Sequence, residues 1–311
     1  MVGGMKSTLN DDQVAMPALM PAPELLAADL PARKAILDPI LSKKSLTMVY
    51  GPRGLGKTHV ALGIAWAAAS GQSFLKWTAT RPHRVVYVDG EMAAVDLQAR
   101  LRQFGSAPPD LNFLIADLNP KTVMADLIGT AGQVSLMRAW GRQPELLVLD
   151  NLSSLMGLRG NSADRWGEVQ HWLAIMRRAG MAVLMLHHAN KDGDQRGTSQ
   201  REDALDVVMS MRPPSDHTPQ QGARFELHFE KARGLHGDAV EPIEAWVETD
   251  IVGTQRWKWQ PLEQSTFDKV MVLLRRGLKP LEIARETGVS KSQVYRIREK
   301  AASADQLATI S

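Results

Sequence analysis

A chain of 311 residues with a formal net charge of +3, no cysteine and 44% apolar residues is long enough for about two domains and at least one large core. The missing cysteines exclude disulfide frameworks, thiolate zinc sites, cysteine nucleophiles and iron–sulfur clusters, and an ordinary content of charge, Gly and Pro excludes a wholly disordered or collagen-like chain. No run approaches the ~18 apolar residues of a membrane span, and residues 1–20 lack a basic stretch followed by an apolar one, so a soluble, cytoplasmic protein with no membrane partner is expected.

Charge is unevenly placed. The pI is about 9.1, yet residues 266–311 hold nine Lys/Arg against five Asp/Glu while residues 1–265 hold 28 against 29. A polyanion is therefore the expected partner of the C-terminal end.

Residues 1–25 show no sustained period and read as a flexible tail. Residues 30–45 carry a short apolar pattern, followed by a β-rich run, Ser45 to Tyr50, that enters a glycine loop. His59 to Ala69 is Ala-rich, interrupted only by Gly63, and predicts a buried helix. Val85–Asp89 predicts a second strand, Ala93–Phe104 a helix, Leu111–Ala116 a third strand and Ser135–Arg142 a further helix. Leu146–Asp150 is an apolar strand closed by a carboxylate. Arg165–Ala179 reads as an amphipathic helix, Met181–His187 as another buried strand and Asn190–Arg201 as a polar loop. Arg224–Glu230, Ile243–Thr249 and Arg256–Gln260 suit antiparallel edge strands. Uniformly apolar strands alternating with helices call for a mostly parallel sheet covered on both faces, an α/β fold.

Gly51-Pro52-Arg53-Gly54-Leu55-Gly56-Lys57-Thr58 fits G-x-x-x-x-G-K-[ST] in full and lies between a strand and a helix. Converging backbone N–H groups and the helix N-terminus, with His59 next in line, favour phosphate. Lys57 is expected to reach the β- and γ-phosphates of ATP, and Thr58 to ligate Mg²⁺. Asp150 fits a Walker B carboxylate carried to the same Mg²⁺ by a rigid strand. Glu91, just after the second strand, is the candidate for orienting the attacking water, with Asp89 as its competitor.

A phosphate loop, a Glu after the next strand, a Walker B strand, and a strand ending His187-His188-Ala189-Asn190-Lys191 together resemble the RecA-fold P-loop ATPases, and more closely the plasmid RepA-type hexameric helicase group, over about residues 30–250. The resemblance implies a homo-oligomer, in that group a hexameric ring, working in replication, recombination or repair of a mobile element. It also implies that His187 or His188 senses the γ-phosphate and relays its loss to the Asn190–Asp203 loop, where Arg196 faces DNA. Arg159-Gly160-Asn161 is a second, weaker candidate for DNA contact. By the same resemblance Lys231 and Arg233, after the alternating strand, reach a neighbouring subunit's nucleotide. One departure stands out: where the helicase continues from its DNA loop into a strand with an arginine finger, this chain reads Gln200 to Val208. Either Arg233 or Arg212 then serves, or the assembly is not a processive helicase.

Beyond a linker candidate at 261–265 the chain is helical. Thr266–Arg276, a short helix from Leu281 to a turn at Gly288, and a helix from Lys291 to Ala301 capped by Ser290 resemble the helix-turn-helix of resolvase-like DNA-binding proteins. By that likeness Lys291, Ser292, Gln293, Tyr295 and Arg296 face bases or phosphates of duplex DNA, and Arg298 and Lys300 the backbone. The expected organisation is thus a tail (1–25), a RecA-like ATPase domain (26–260), a linker (261–265), a helix-turn-helix domain (266–302) and a second tail (303–311). The expected function is a Mg-ATP-hydrolysing motor or switch on DNA. An ATP-controlled regulator or a loader without unwinding activity stands as the alternative.

Overall fold

The apolar runs set the sheet and the Ala-rich and amphipathic runs its covering helices. A computed structural model describes residues 18–119, 126, 129–156, 162–189, 203–251 and 255–308. The chain divides after Arg33 rather than after residue 25. In the N-terminal unit, Ala22–Ala27 form a helix, α1, with no buried side chain.

The second unit opens with a hairpin, β1 (Ala35–Leu37) and β2 (Leu41–Ser42), then β3 (Leu46–Gly51) and α2 (Lys57–Ser70). A small hairpin, β4 (Ser73–Phe74) and β5 (Trp77–Thr78), leads to β6 (Val85–Asp89), α3 (Ala94–Leu101) and β7 (Leu111–Ile115). There follow α4 (Thr130–Ala139), β8 (Leu146–Asp150), α5 (Leu152–Leu155), α6 (Ser162–Arg178) and β9 (Ala182–His188). Strands β10 (Val207–Arg212), β11 (Arg224–Ala232), β12 (Ile243–Thr249) and β13 (Gln255–Pro261) precede the helices α7 (Leu262–Arg275), α8 (Pro280–Thr287) and α9 (Lys291–Ala308).

Nine of these strands form one sheet in the order β13-β12-β11-β10-β3-β9-β8-β6-β7. From β10 to β7 the strands are parallel; β11, β12 and β13 add an antiparallel edge. Every residue of β3, β6 and β8 is buried, as strands covered on both faces must be. One face packs on α2 and the hairpins through Leu62, Ile64, Ile36 and Trp77. The other packs on α4, α5 and α6 through Leu136, Leu155, Trp166 and Trp172. Because β8 and β9 are inserted between β3 and β6, the strand order reverses there, and the crevice at their carboxyl ends is the site such sheets offer a ligand.

Several expectations are revised. The strand β10 was missed because its apolar run follows an acidic stretch, Glu202-Asp203 and Asp206. A strand is therefore present after the Asn190–Asp203 segment, and Arg212 closes it. There is no separate linker at 261–265: Pro261 ends β13 and Leu262 starts α7, since proline suits the position ahead of a helix. Helix α9 runs to Ala308, so residues 303–308 are not a tail. Residues 190–202, with Arg196, and Arg159–Asn161 lie outside the described residues.

Helices α7, α8 and α9 share a core of Val270, Leu273, Ile283 and Val294, flanked by Ala284, Val289 and Ile297. Gly288 closes α8 in the left-handed conformation, φ +73°, and the Ser290 hydroxyl accepts from the Gln293 N–H at 3.2 Å, which caps α9. Among the described residues no helix is long and apolar enough to cross a membrane.

Candidate functional site

The phosphate loop links β3 to α2. Gly56 at its end has φ +97°, a conformation that a side chain would strain, and a Cβ there would come within 3.2 Å of the Ala223 methyl. The loop therefore opens into a cleft of about 740 Å³ whose floor carries Lys57, Thr58, Asp150, Glu91 and His188. Its far wall is the β10–β11 connection, Gln220 to Ala223, with Val247, Thr249 and Gln255 from β12 and β13.

Lys57 is buried, and its ammonium donates to the carbonyls of Gly51 (2.8 Å) and Pro52 (2.6 Å). Burial lowers its pKa to about 8, against the pull of Asp150 and Glu91. Asp150 is more extreme. It is 5% exposed and accepts from the Tyr87 hydroxyl at 2.6 Å, and burial, reinforced by the charges of Asp89 and Glu91, raises its pKa to about 6 despite hydrogen bonds from Tyr87 and Thr58.

Asp89 has a different place from Glu91. Its Oδ1 accepts from the N–H groups of Glu91 (3.1 Å) and Met92 (2.7 Å), so it holds the turn that projects Glu91. The exposed Glu91 carboxylate accepts from the Asn151 amide, and Asn151 Nδ2 also lies 3.3 Å from His188 Nε2. The Glu91 carboxylate lies 3.7 Å from the same His188 Nε2. Burial and the nearby Lys57 lower the His188 pKa, which favours a neutral ring. His188 Nδ1 is buried with no hydrogen-bond partner among the described residues.

The two histidines separate by strand alternation. His188 shares the α2 face with Leu184 and Leu186, whereas His187 is buried on the opposite face with Val183 and Met185. His187 is thus not in the cleft. Arg53 and His59 line it as the motif implied, and Arg100 of α3 joins them. Asn151, Arg100 and the Gln220–Ala223 wall were not foreseen. Asn151 follows the Walker B aspartate directly, which was the available signal; the wall residues come from a turn whose sequence has no motif.

Lys231 and Arg233 lie elsewhere. Lys231 belongs to β11 itself rather than following it, paired with Val208. Its ammonium and the Arg233 guanidinium both donate to the Asp203 carbonyl, at 3.2 and 3.3 Å. Val207 and Val208 align with Thr47 and Met48, so these cations sit at the end of the sheet away from their own phosphate loop. Arg212 is at the cleft end and pairs with Glu230 at 2.5 Å.

On α9, Lys291, Ser292, Gln293, Tyr295, Arg296, Arg298 and Lys300 are all exposed, but not equivalent. Lys291 and Arg298 flank the Tyr295 ring, 5.9 and 5.0 Å from its centroid. Gln293 Oε1 instead accepts from the Ser290 N–H at 3.2 Å, completing a capping box. Lys300 turns toward α7, 3.5 Å from Glu263 and 6.0 Å from the Phe267 ring centroid.

Fold and cleft together define a RecA-like P-loop ATPase with a C-terminal helix-turn-helix. Residues 14–194 match the model of the AAA domain, and the chain belongs to that family. Residues 269–308 match the homeodomain-like domain. The chain is 25% identical over 178 residues to the DNA repair protein RadA of Brucella abortus (56% of this chain, 34% of that protein). It is 24% identical over 187 residues to the RadA of Bacillus subtilis (57% and 34%). The chain thus spans about a third of the length of these relatives. A KaiC-like protein from Pyrococcus horikoshii shares the fold, with a TM-score of 0.51 at 13% identity over 74% of this chain and 98% of that one.

Proposed function

We propose that the protein hydrolyses Mg-ATP in the cleft while its C-terminal helices hold duplex DNA, and that it works as an assembly of copies. The observation that carries this reading is the convergence of Lys57, Thr58, Asp150 and the Glu91–Asn151–His188 chain on one crevice. The phosphate loop N–H groups and Lys57 bind the ATP phosphates. Thr58 and Asp150 offer two oxygens side by side, a donor pair that suits Mg²⁺. Among the described residues no cluster of three His, Asp or Glu is placed to hold a metal unaided. When bound, Mg²⁺ supplies neutralisation of phosphate charge.

Glu91, held by Asn151, orients the attacking water, and the same amide ties its position to His188. Loss of the γ-phosphate is thereby felt at the end of β9, from which the Asn190–Asp203 segment departs with Arg196. Lys231 and Arg233 point away from their own cleft, so any phosphate they reach belongs to another copy. This supports a trans-acting finger in a ring or filament. On α9 the Lys291–Tyr295–Arg298 flank, with Arg296 and Ser292, is the DNA-facing surface; Gln293 and Lys300 stand back from it. A role in repair accords with the name of the RadA relatives; replication or recombination, including that of a mobile element, and residence in the cytoplasm belong to the same proposal.

The test is the Mg-ATPase rate alone, with single-stranded DNA and with duplex, beside Lys57→Ala. A rate abolished by Lys57→Ala and raised by DNA supports the motor. A slow rate indifferent to DNA selects the ATP-controlled regulator or the loader. A rate unchanged in Lys57→Ala refutes the cleft as the site.

A further inference from the structure

The helix-turn-helix does not hang on a loose tether. Its first helix is docked on the antiparallel edge by a charge cluster centred on the buried Glu244 that also reaches the cleft wall. Glu244 of β12 is 2% exposed and accepts from Arg224 at 2.7 Å, from the buried Ser265 hydroxyl of α7, and stands 3.4 Å from the Lys269 ammonium of α7. Asp216 completes the cluster, 3.1 Å from Arg224 and 3.4 Å from Lys269. One residue earlier, the Ser215 hydroxyl donates to the Thr287 carbonyl at the end of α8, at 3.4 Å.

The same connection forms the far wall of the cleft. Arg224 follows Ala223, whose methyl abuts the phosphate loop at Gly56, and its guanidinium donates to Gln221 Oε1 at 3.1 Å. Arg224 therefore holds the cleft wall with one nitrogen and the α7 docking carboxylates with the others. Losing a partner is costly to a buried carboxylate, so its remaining partners shift to keep it paired. A shift of the wall that draws Arg224 from Glu244 must be met by Lys269 and Ser265, and α7 carries both.

We propose that Arg224 is a positioning residue that couples the two sites: nucleotide in the cleft changes the duplex affinity of the C-terminal helices, and duplex changes nucleotide affinity by the same factor, as linkage requires. This rests on the reading that the cleft binds nucleotide and that α9 binds DNA. The test measures a labelled mixed-sequence duplex by anisotropy, using the full chain without nucleotide, with Mg-ADP and with a non-hydrolysable Mg-ATP analogue. The reciprocal titration measures a fluorescent ATP analogue with and without duplex. Wild type is expected to show a factor of about five or more between nucleotide states, equal in both directions. Lys269→Met and, independently, Ser265→Ala are expected to bring the factor below about two while each separate affinity stays within about twofold. Lys269→Arg is expected to restore it. A wild-type factor of one, or an undiminished factor in both variants, overturns the coupling. Absence of either separate binding reaction overturns the reading beneath it instead.

Discussion

The Asp150 carboxylate is costly to the fold, and replacing it is expected to show how costly. Burial carries its pKa from the ordinary 3.8 to about 6. At about 1.4 kcal/mol per pH unit, the ionised form is then about 3 kcal/mol less favourable in the folded than in the unfolded chain. The sign follows from proton counting. Between pH 3.8 and 6 the folded state holds more protons at this site, so its contribution to stability falls as pH rises through that window and stays low above it. Asp150→Asn keeps an oxygen for the Tyr87 hydroxyl and removes the charge. It is expected to stabilise the protein by up to about 3 kcal/mol at pH 8, or about 5 °C in Tm for a chain of this length, and by almost nothing at pH 4. Lys57 loses the Coulomb support of Asp150 in this variant, which makes about 3 kcal/mol a ceiling. The assay is urea unfolding of wild type and variant, metal-free, across pH 4 to 8. A variant no more stable than wild type at pH 8, or an advantage that does not change with pH, refutes the assignment of the raised pKa to a buried, ionised carboxylate. The same variant is expected to lose Mg²⁺-dependent ATP turnover, separating the acid's function from its effect on the fold.

Glu91→Gln is expected to bind a fluorescent ATP analogue within a few-fold of wild type while single-turnover hydrolysis falls by about 10²–10⁴; an unchanged rate would remove Glu91 from the water-orienting role. Gly63→Ala is expected to destabilise by about 1–3 kcal/mol despite the better helix propensity of alanine. The new Cβ would lie 2.0 Å from the Phe74 ring, itself packed edge-on to Trp257. Recovery in Gly63→Ala/Phe74→Leu on chemical unfolding checks that cause. Lys291→Ala with Arg298→Ala is expected to weaken duplex binding and to reduce the slope of log affinity against log salt by about 2. An unchanged slope would place the duplex on another surface.

The elements the sequence declared most clearly are those whose residues are constrained by neighbours in the chain. Uniformly apolar Val85–Asp89 and Leu146–Asp150 announce buried parallel strands because both their faces are covered. The phosphate loop announces itself because its glycines serve a local backbone shape. The Ser290-x-x-Gln293 cap works within one helical turn and was legible for the same reason, although the use of Gln293 for that cap rather than for outward contact was not.

What only the tertiary structure decided depends on which chain-distant residues share a face or a charge. The sequence offered His187 and His188 as equals. The parity of β9 against α2 turns His188 into the cleft and buries His187 behind the sheet. Asp89 and Glu91 were rivals until the turn after β6 engaged the first in holding the second. Lys231 and Arg233 were expected to reach a neighbouring copy's nucleotide, and the antiparallel return of β11 carries them to the end of the sheet away from their own cleft. Arg224, Glu244 and Lys269 have no motif in common, because their meeting is set by strand register and by helix docking. By itself the sequence determined the fold class, the phosphate loop and a basic helical C-terminus, since each is written in contiguous residues. The tertiary structure decided which acids, which histidine and which arginines line the cleft, because pairing, parity and burial are properties of the packed sheet.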